Sequence, residues 1–158
     1  MDVNDYLIDQ EDKDWADLLS SWQFLLPESF NVWLVNRLGD IFLVFDDGSV
    51  HILDTGRGVL ERLADSRDHF CVLLDQDDNC SGWLMVELVD ACVVAGMHLS
   101  PTQCYGFKVP PMLGGEYEID NLEPTDLSVH YSLLGDIARQ TKDLPPGTKV
   151  KVSLEGHS

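Results

Sequence analysis

The sequence predicts an α+β fold: a small antiparallel sheet with an N-terminal hairpin, packed against about four to five helices. Three observations predict it. First, Asp46-Asp47-Gly48 separates two short runs rich in branched and aromatic residues, Ile41 to Phe45 and Val50 to Leu53. An Asp-Gly pair in that setting is a hairpin signal, because glycine takes positive φ without steric cost. Second, Leu127, His130, Tyr131, Leu134, Ile137 and Ala138 recur at helical spacing near the C-terminal end. Third, 158 residues, 44% of them hydrophobic, match one domain with a real core. The expected domain is 1–158, with residues 1–11 as a loosely held acidic arm.

In chain order, Trp15, Leu18, Leu19 and Trp22 form one apolar stripe. They predict a helix that starts at Asp12 or Asp14 and ends at Leu26-Pro27, since the residue before proline avoids the α region. Ser29 to Asn36 fits a short helix or a strand equally well. After the hairpin, Thr55-Gly56-Arg57-Gly58 leads into an expected helix over Val59 to Ala64. Ser66 is placed to cap the next helix, with His69 at its third position. Asp75 to Ser81 is polar and expected as an exposed loop. Trp83 to Ala95 is apolar nearly all round and predicts a helix that is central to the core or lies in an oligomer interface, stopped at Gly96.

The densest run of special backbone positions lies from Cys104 to Thr141. Cys104 to Val109 predicts a strand, which Pro110-Pro111 ends because proline donates no ladder hydrogen bond. Gly114-Gly115 permits positive φ or close approach by other backbone. Glu116 to Ile119 is expected as a second short strand, Asp120-Asn121 as a turn, and Thr125 or Asp126 as the cap of the last helix. His130 lies on that helix's apolar face, so it needs a buried partner, for which the Gly114-Gly115 backbone is a candidate. Pro145-Pro146-Gly147 turns the chain, and Thr148 to Leu154 predicts a last strand.

Charge restricts function. Asp and Glu number 28 against 10 Lys and Arg, a net charge of −18. A phosphate-tracking groove needs the opposite sign, so nucleic acid is not an expected partner. Solubility is one reading of the acidity; a basic protein partner is the other. On the second reading, Asp46, Asp47, Asp75, Asp77 and Asp78 are the expected contact residues. No apolar run reaches the ~18 residues a membrane helix needs. The opening MDVNDYLIDQEDKDW is not a signal peptide, so the expected location is cytoplasmic. Cys71, Cys80, Cys92 and Cys104 form no CxxC pair and are expected as thiols, with no metal and no cofactor site. The Thr55 to Gly58 segment lacks both GxGxxG and the P-loop lysine. His51, His130, Asp126 and Cys104 are the scattered candidates for chemistry, and no nucleophile and base stand at a recognisable spacing.

YGFKVPPMLGGEYEIDNLEPTDLSVHYSLLGDI resembles the C-terminal domain of immunity proteins that protect bacteria from a type VI secretion DNase toxin. The features that carry the resemblance are Pro111, Leu113, Gly114 and Gly115 in one run, Asn121 shortly after it, and His130 with Leu133 and Leu134 on the helix. Upstream, Asn36 to Asp54 is similar to the family's Gly-Asp strand and the strand ending in Leu-Asp. The resemblance spans roughly Val35 to Thr141. It implies an α+β domain without enzymatic activity that neutralises a toxin by binding, the matched residues being fold determinants. The alternative is a stand-alone scaffold or regulatory interaction module. Monomer and homodimer stay equally open.

Overall fold

The computed structural model describes residues 3–141. Its centre is an antiparallel sheet of four strands in sequence order: β1 (Phe30–Val35), β2 (Ile41–Phe45), β3 (Val50–Asp54) and β4 (Val59–Ala64). Side chains alternate between the two faces. Phe42, Val44, Val50 and Ile52 turn to one apolar cluster, while Ile41, Leu43 and Leu53 turn to another. In β1 the register shifts between Val32 and Leu34, and Trp33 and Leu34 both join the first cluster.

Helices cover both faces. Against the first lie α2 (Arg67–Leu74), α3 (Asn79–Trp83) and α4 (Val86–Val94), where Phe42, Phe70 and Trp83 form an aromatic knot with centroids 5.0–6.4 Å apart. Against the second lie α1 (Trp15–Leu18) and α5 (Leu127–Thr141). A two-stranded antiparallel sheet, β5 (Gln103–Phe107) with β6 (Leu122–Asp126), leads into α5. The architecture is therefore α+β, and the hairpin, the Ser66 cap on His69 N–H and the last helix stand where the sequence predicts them. Ser29 to Asn36 resolves as a strand.

Several expectations are corrected. The acidic arm is held down from Tyr6 onward: Tyr6 and Ile8 are buried, Leu7 bridges Asn36, and Ile8 N–H bonds the Val35 carbonyl at 2.8 Å. The first helix is only four residues, because the chain tightens into a 3-10 turn over Ser20–Trp22. Trp22 is fully buried there, with its indole N–H on the Tyr131 carbonyl at 3.0 Å. Val59 to Ala64 is strand, not helix. The Asp54 carboxylate accepts the Arg57 N–H, Gly58 takes φ +71°, and this tight turn lays β4 along β3. Pairing overrides the local preference.

Trp83 to Ala95 is two helices, broken at Met85, which adopts a left-handed conformation (φ 51°). The expected loop 75–81 accordingly contains the start of α3. Glu116 to Ile119 is not a strand; the partner of β5 is β6, which includes Pro124. Proline is tolerated there because β6 is an edge. Thr125 bonds the Glu123 carbonyl, and the Leu127 N–H at the start of α5 goes to the Thr102 carbonyl at 2.9 Å. The turn at Pro145 and the strand over Thr148 to Leu154 lie outside the described residues.

Candidate functional site

Asp40 joins two polar regions, one buried and one open. It sits in the turn between β1 and β2, where Asn36 Oδ1 accepts the N–H groups of Leu38 and Asp40, both at 3.0 Å. Asp40 Oδ1 accepts the Thr55 N–H at 2.9 Å and the Thr55 hydroxyl at 3.0 Å. Thr55 Oγ1 also lies 3.0 Å from His130 Nε2. The hydroxyl has one proton; donating it to Asp40 makes it the acceptor for a His130 Nε2–H. Burial holds the imidazole neutral, with its pKa pushed down to about 4. The whole set is buried. Tyr131 closes it, donating its hydroxyl to the Gly39 carbonyl at 2.8 Å.

Gly39 makes the knot possible. It takes φ +89°, and a β-carbon there would stand 2.6 Å from His130 Nε2. The last helix is thus tied to the Gly39 turn and Thr55. This corrects the expectation that the Gly114-Gly115 backbone serves His130. Asn121 fills that role in the glycine turn instead, accepting Val109 N–H and donating to the carbonyls of Val109 and Glu116. Gly115 lies so close that an added β-carbon would collide with the Val109 carbonyl. Pro111 and Met112 pack over Gly56 and Gly58, which accounts for both glycines as contact positions rather than a phosphate loop.

On the open side, Asp40 lines a groove of about 1010 Å³. One wall is the sheet, through Ile52, Asp54, Glu61 and Leu63; the other is α3 and α4, through Asp78, Trp83, Glu87 and Leu88. Tyr117, Glu118 and Ile119 form its end. Ile52, Leu63, Trp83 and Leu88 give it an apolar lining, and among the described residues its charge is one-sided: six carboxylates (Asp40, Asp54, Glu61, Asp78, Glu87, Glu118) against Arg57. Arg57 bonds Asp54 at 2.8 Å and reaches Glu61 at 3.4 Å. Burial first, and the nearby Asp54 charge second, push the Asp40 carboxyl up to about 7, against the lowering effect of its hydrogen bonds. Burial also raises the Tyr117 phenol above its ordinary range.

The five aspartates expected at the partner surface are exposed but separate. Asp78 lines the groove. Asp46 lines a different depression with Ser66 and Asp68, and accepts the Ser29 hydroxyl at 3.0 Å. Asp47 accepts the Ser49 N–H at 2.9 Å, and its bonds to Ser49 hold its carboxyl below the usual range. Asp75 ends α2, and Asp77 takes positive φ between α2 and α3. Sequence reading missed Asp40, Thr55 and Glu118. Only the pairing of Asp40 and Asp54 at the ends of neighbouring strands hints at them.

Of the candidates for chemistry, His130 and Cys104 both stand against the Gly39 turn, while His51 lies elsewhere on the sheet. His51 Nε2 lies 2.9 Å from Ser49 Oγ, but Asp47 bonds the serine, not the imidazole, so nothing orients His51 as a base. Its ring stacks on Phe45 at 3.8 Å. Cys104 is buried, and its thiol is raised well above its ordinary range, away from nucleophilic thiolate. Cys71, Cys80, Cys92 and Cys104 are free thiols. Among the described residues, no helix is long and apolar enough to cross a membrane.

No curated protein matches the chain. A family model does match, over residues 64–138, and is described as T6SS immunity protein Tdi1, C-terminal. The matched part runs from the end of β4 almost to the end of α5, and contains Pro111, Leu113, Gly114, Gly115, Asn121 and His130. It leaves out β1 to β3, and with them Thr55, the partner of His130, and Asp40 and Asn36, which are linked to His130 through Thr55. Residues 64–138, just under half of the chain, are thus similar to the C-terminal domain of type VI secretion immunity proteins.

Proposed function

We propose that this protein is an immunity protein that neutralises a toxin by binding it, without catalysis, in the cytoplasm. The observation that carries the reading is the family match over residues 64–138. In this reading 1–158 acts as one domain. The partner is a basic, nuclease-like toxin. A nuclease needs a cationic cleft to hold phosphates, and a protein of net charge −18 is the natural complement to such a cleft. Asp46, Asp47, Asp75, Asp77 and Asp78 belong to the acidic surface, and a field of one sign raises encounter rates by roughly 10- to 1000-fold at low salt.

Co-expression tests this. A type VI secretion toxin from the same bacterium is induced with and without this protein, and growth is followed. Restored growth, with a complex whose affinity falls as salt rises, is the expected result. Growth arrest despite abundant folded protein defeats the reading.

A further inference from the structure

We infer that the groove between the β3–β4 face, the α3–α4 wall and the 117–119 segment is the docking surface, and that its occupant is a toxin segment presenting a lysine or arginine among apolar side chains. The inference rests on the immunity reading above and says where and how that partner is held.

The occupant follows from what lines the groove. The apolar side chains at the end of the groove are wetted in the free protein: Tyr117 and Ile119, both large, are each 38% exposed. Covering them favours a partner with apolar side chains. The rim then decides the charge. Six carboxylates and a single arginine repel an anionic segment and leave an uncharged one with desolvated acids to cover.

Asp40 sharpens this to a cation. Its side chain is almost fully buried, with 2% exposed, and lines the groove, yet it makes no ion pair among the described residues. Oδ1 is taken up by Thr55, while Oδ2 has only the 3.4 Å approach of Asn36 Nδ2. Asp54 beside it is engaged by Arg57, which is 55% exposed and so can be displaced or joined by a second cation. A guanidinium or ammonium entering here meets the Asp54 carboxylate and favours the ionised form of Asp40 beside it, in a partly desolvated site where such contacts are stronger than on an open surface. The cavity, about 1010 Å³, takes several side chains rather than one.

The test uses the full chain and two triple variants of equal charge change. Asp78→Lys, Glu87→Lys and Glu118→Lys reverse the groove rim. Glu28→Lys, Asp68→Lys and Glu123→Lys reverse exposed acids outside both the groove and the five expected contact aspartates. Two probes are used: the toxin that the wild-type protein neutralises, and a synthetic peptide alternating arginine with leucine, with its glutamate counterpart as control. The rim variant is expected to lose about 100-fold in toxin affinity and to lose protection. The outside variant should change affinity by less than about 10-fold, since remote surface charges act mainly on encounter. Amide shifts caused by the arginine peptide should concentrate at Trp83, Tyr117 and Ile119 and vanish in the rim variant. Tyr117→Ala serves as a second, charge-neutral variant with the same expected direction. Full affinity in the rim variant, or peptide shifts that map elsewhere, overturns the groove while leaving immunity intact. If no toxin is neutralised, the immunity reading fails, and the peptide arm still decides the groove.

Discussion

On one side of Asp40, Asn36, Thr55, His130 and Tyr131 match donor to acceptor inside the protein; on the other, six carboxylates face a single arginine across an open groove. The two regions share a residue and differ in satisfaction. A buried polar network that is saturated specifies one arrangement of the elements around it. It fixes the β1–β2 turn, the start of the β3–β4 turn and the face of α5. A surface of unmatched charge adds nothing comparable to the fold, and its chemistry is completed only by another molecule. The difference separates the part of this protein that holds shape from the part offered to a partner.

The largest effect should come from breaking the saturated side at its tightest point. Gly39→Ala forces a side chain into φ +89° and sets a β-carbon 2.6 Å from His130 Nε2. Both faults are at one residue, so urea denaturation should show a loss of about 3 kcal/mol or more. Next is His130→Ala. It leaves a cavity against Gly39 and Thr55 and removes a buried hydrogen-bond partner, with an expected cost of about 2–4 kcal/mol. An unchanged melting temperature would remove His130 from the structural role given to it.

How much of this was legible follows from distance along the chain. The 41–53 hairpin, the Ser66 cap and the last helix depend on neighbouring residues, and each stands as expected. His130 could be recognised as buried because it falls between Leu127 and Leu134. Its partner Thr55 lies 75 residues away, and no local pattern names it. Val59 to Ala64 fails as a helix for the same reason: Leu60 and Leu63, three apart, share a helix face locally, but pairing with β3 decides and sends them to opposite sides of the sheet. The groove was the least legible feature. It is assembled from residues between Asp40 and Ile119 on several elements, so its acids are scattered in the sequence and gathered only by the fold.

The saturated side also makes a prediction about pH, in which two of its members oppose each other. Asp40 has its pKa raised to about 7 in the fold, so its contribution to stability is fully present below the unfolded value of about 4 and is lost as pH rises towards 7. His130 has its pKa lowered to about 4, so its contribution is present above about 6.5 and is lost as pH falls. The groups around them are Asp54, which raises Asp40, and Cys104, Tyr117 and Tyr131, all raised above ordinary values and so neutral in this range. Between pH 4 and 6.5 the two slopes should largely cancel. His130→Asn removes one of them. Its stability should then fall by about 1 kcal/mol per pH unit across that interval relative to wild type. Parallel curves for the two proteins would mean that the knot does not titrate as its burial requires.

The smallest expected effect on stability belongs to the open side, and its smallness is what sharpens the comparison. Asp78 and Glu118 precede short turns without making a side-chain cap bond, and Glu87 stands exposed in the first turn of α4. Replacing all three by lysine removes no buried contact. It also relieves repulsion among acids that share one groove. The net change should therefore be within about 0.5 kcal/mol, on the stabilising side at low ionic strength. It should shrink in 1 M salt, where screening acts within about 3 Å. A loss of more than about 1 kcal/mol would mean that these carboxylates support the fold after all, and the line drawn through Asp40 between shape and partner chemistry would have to move.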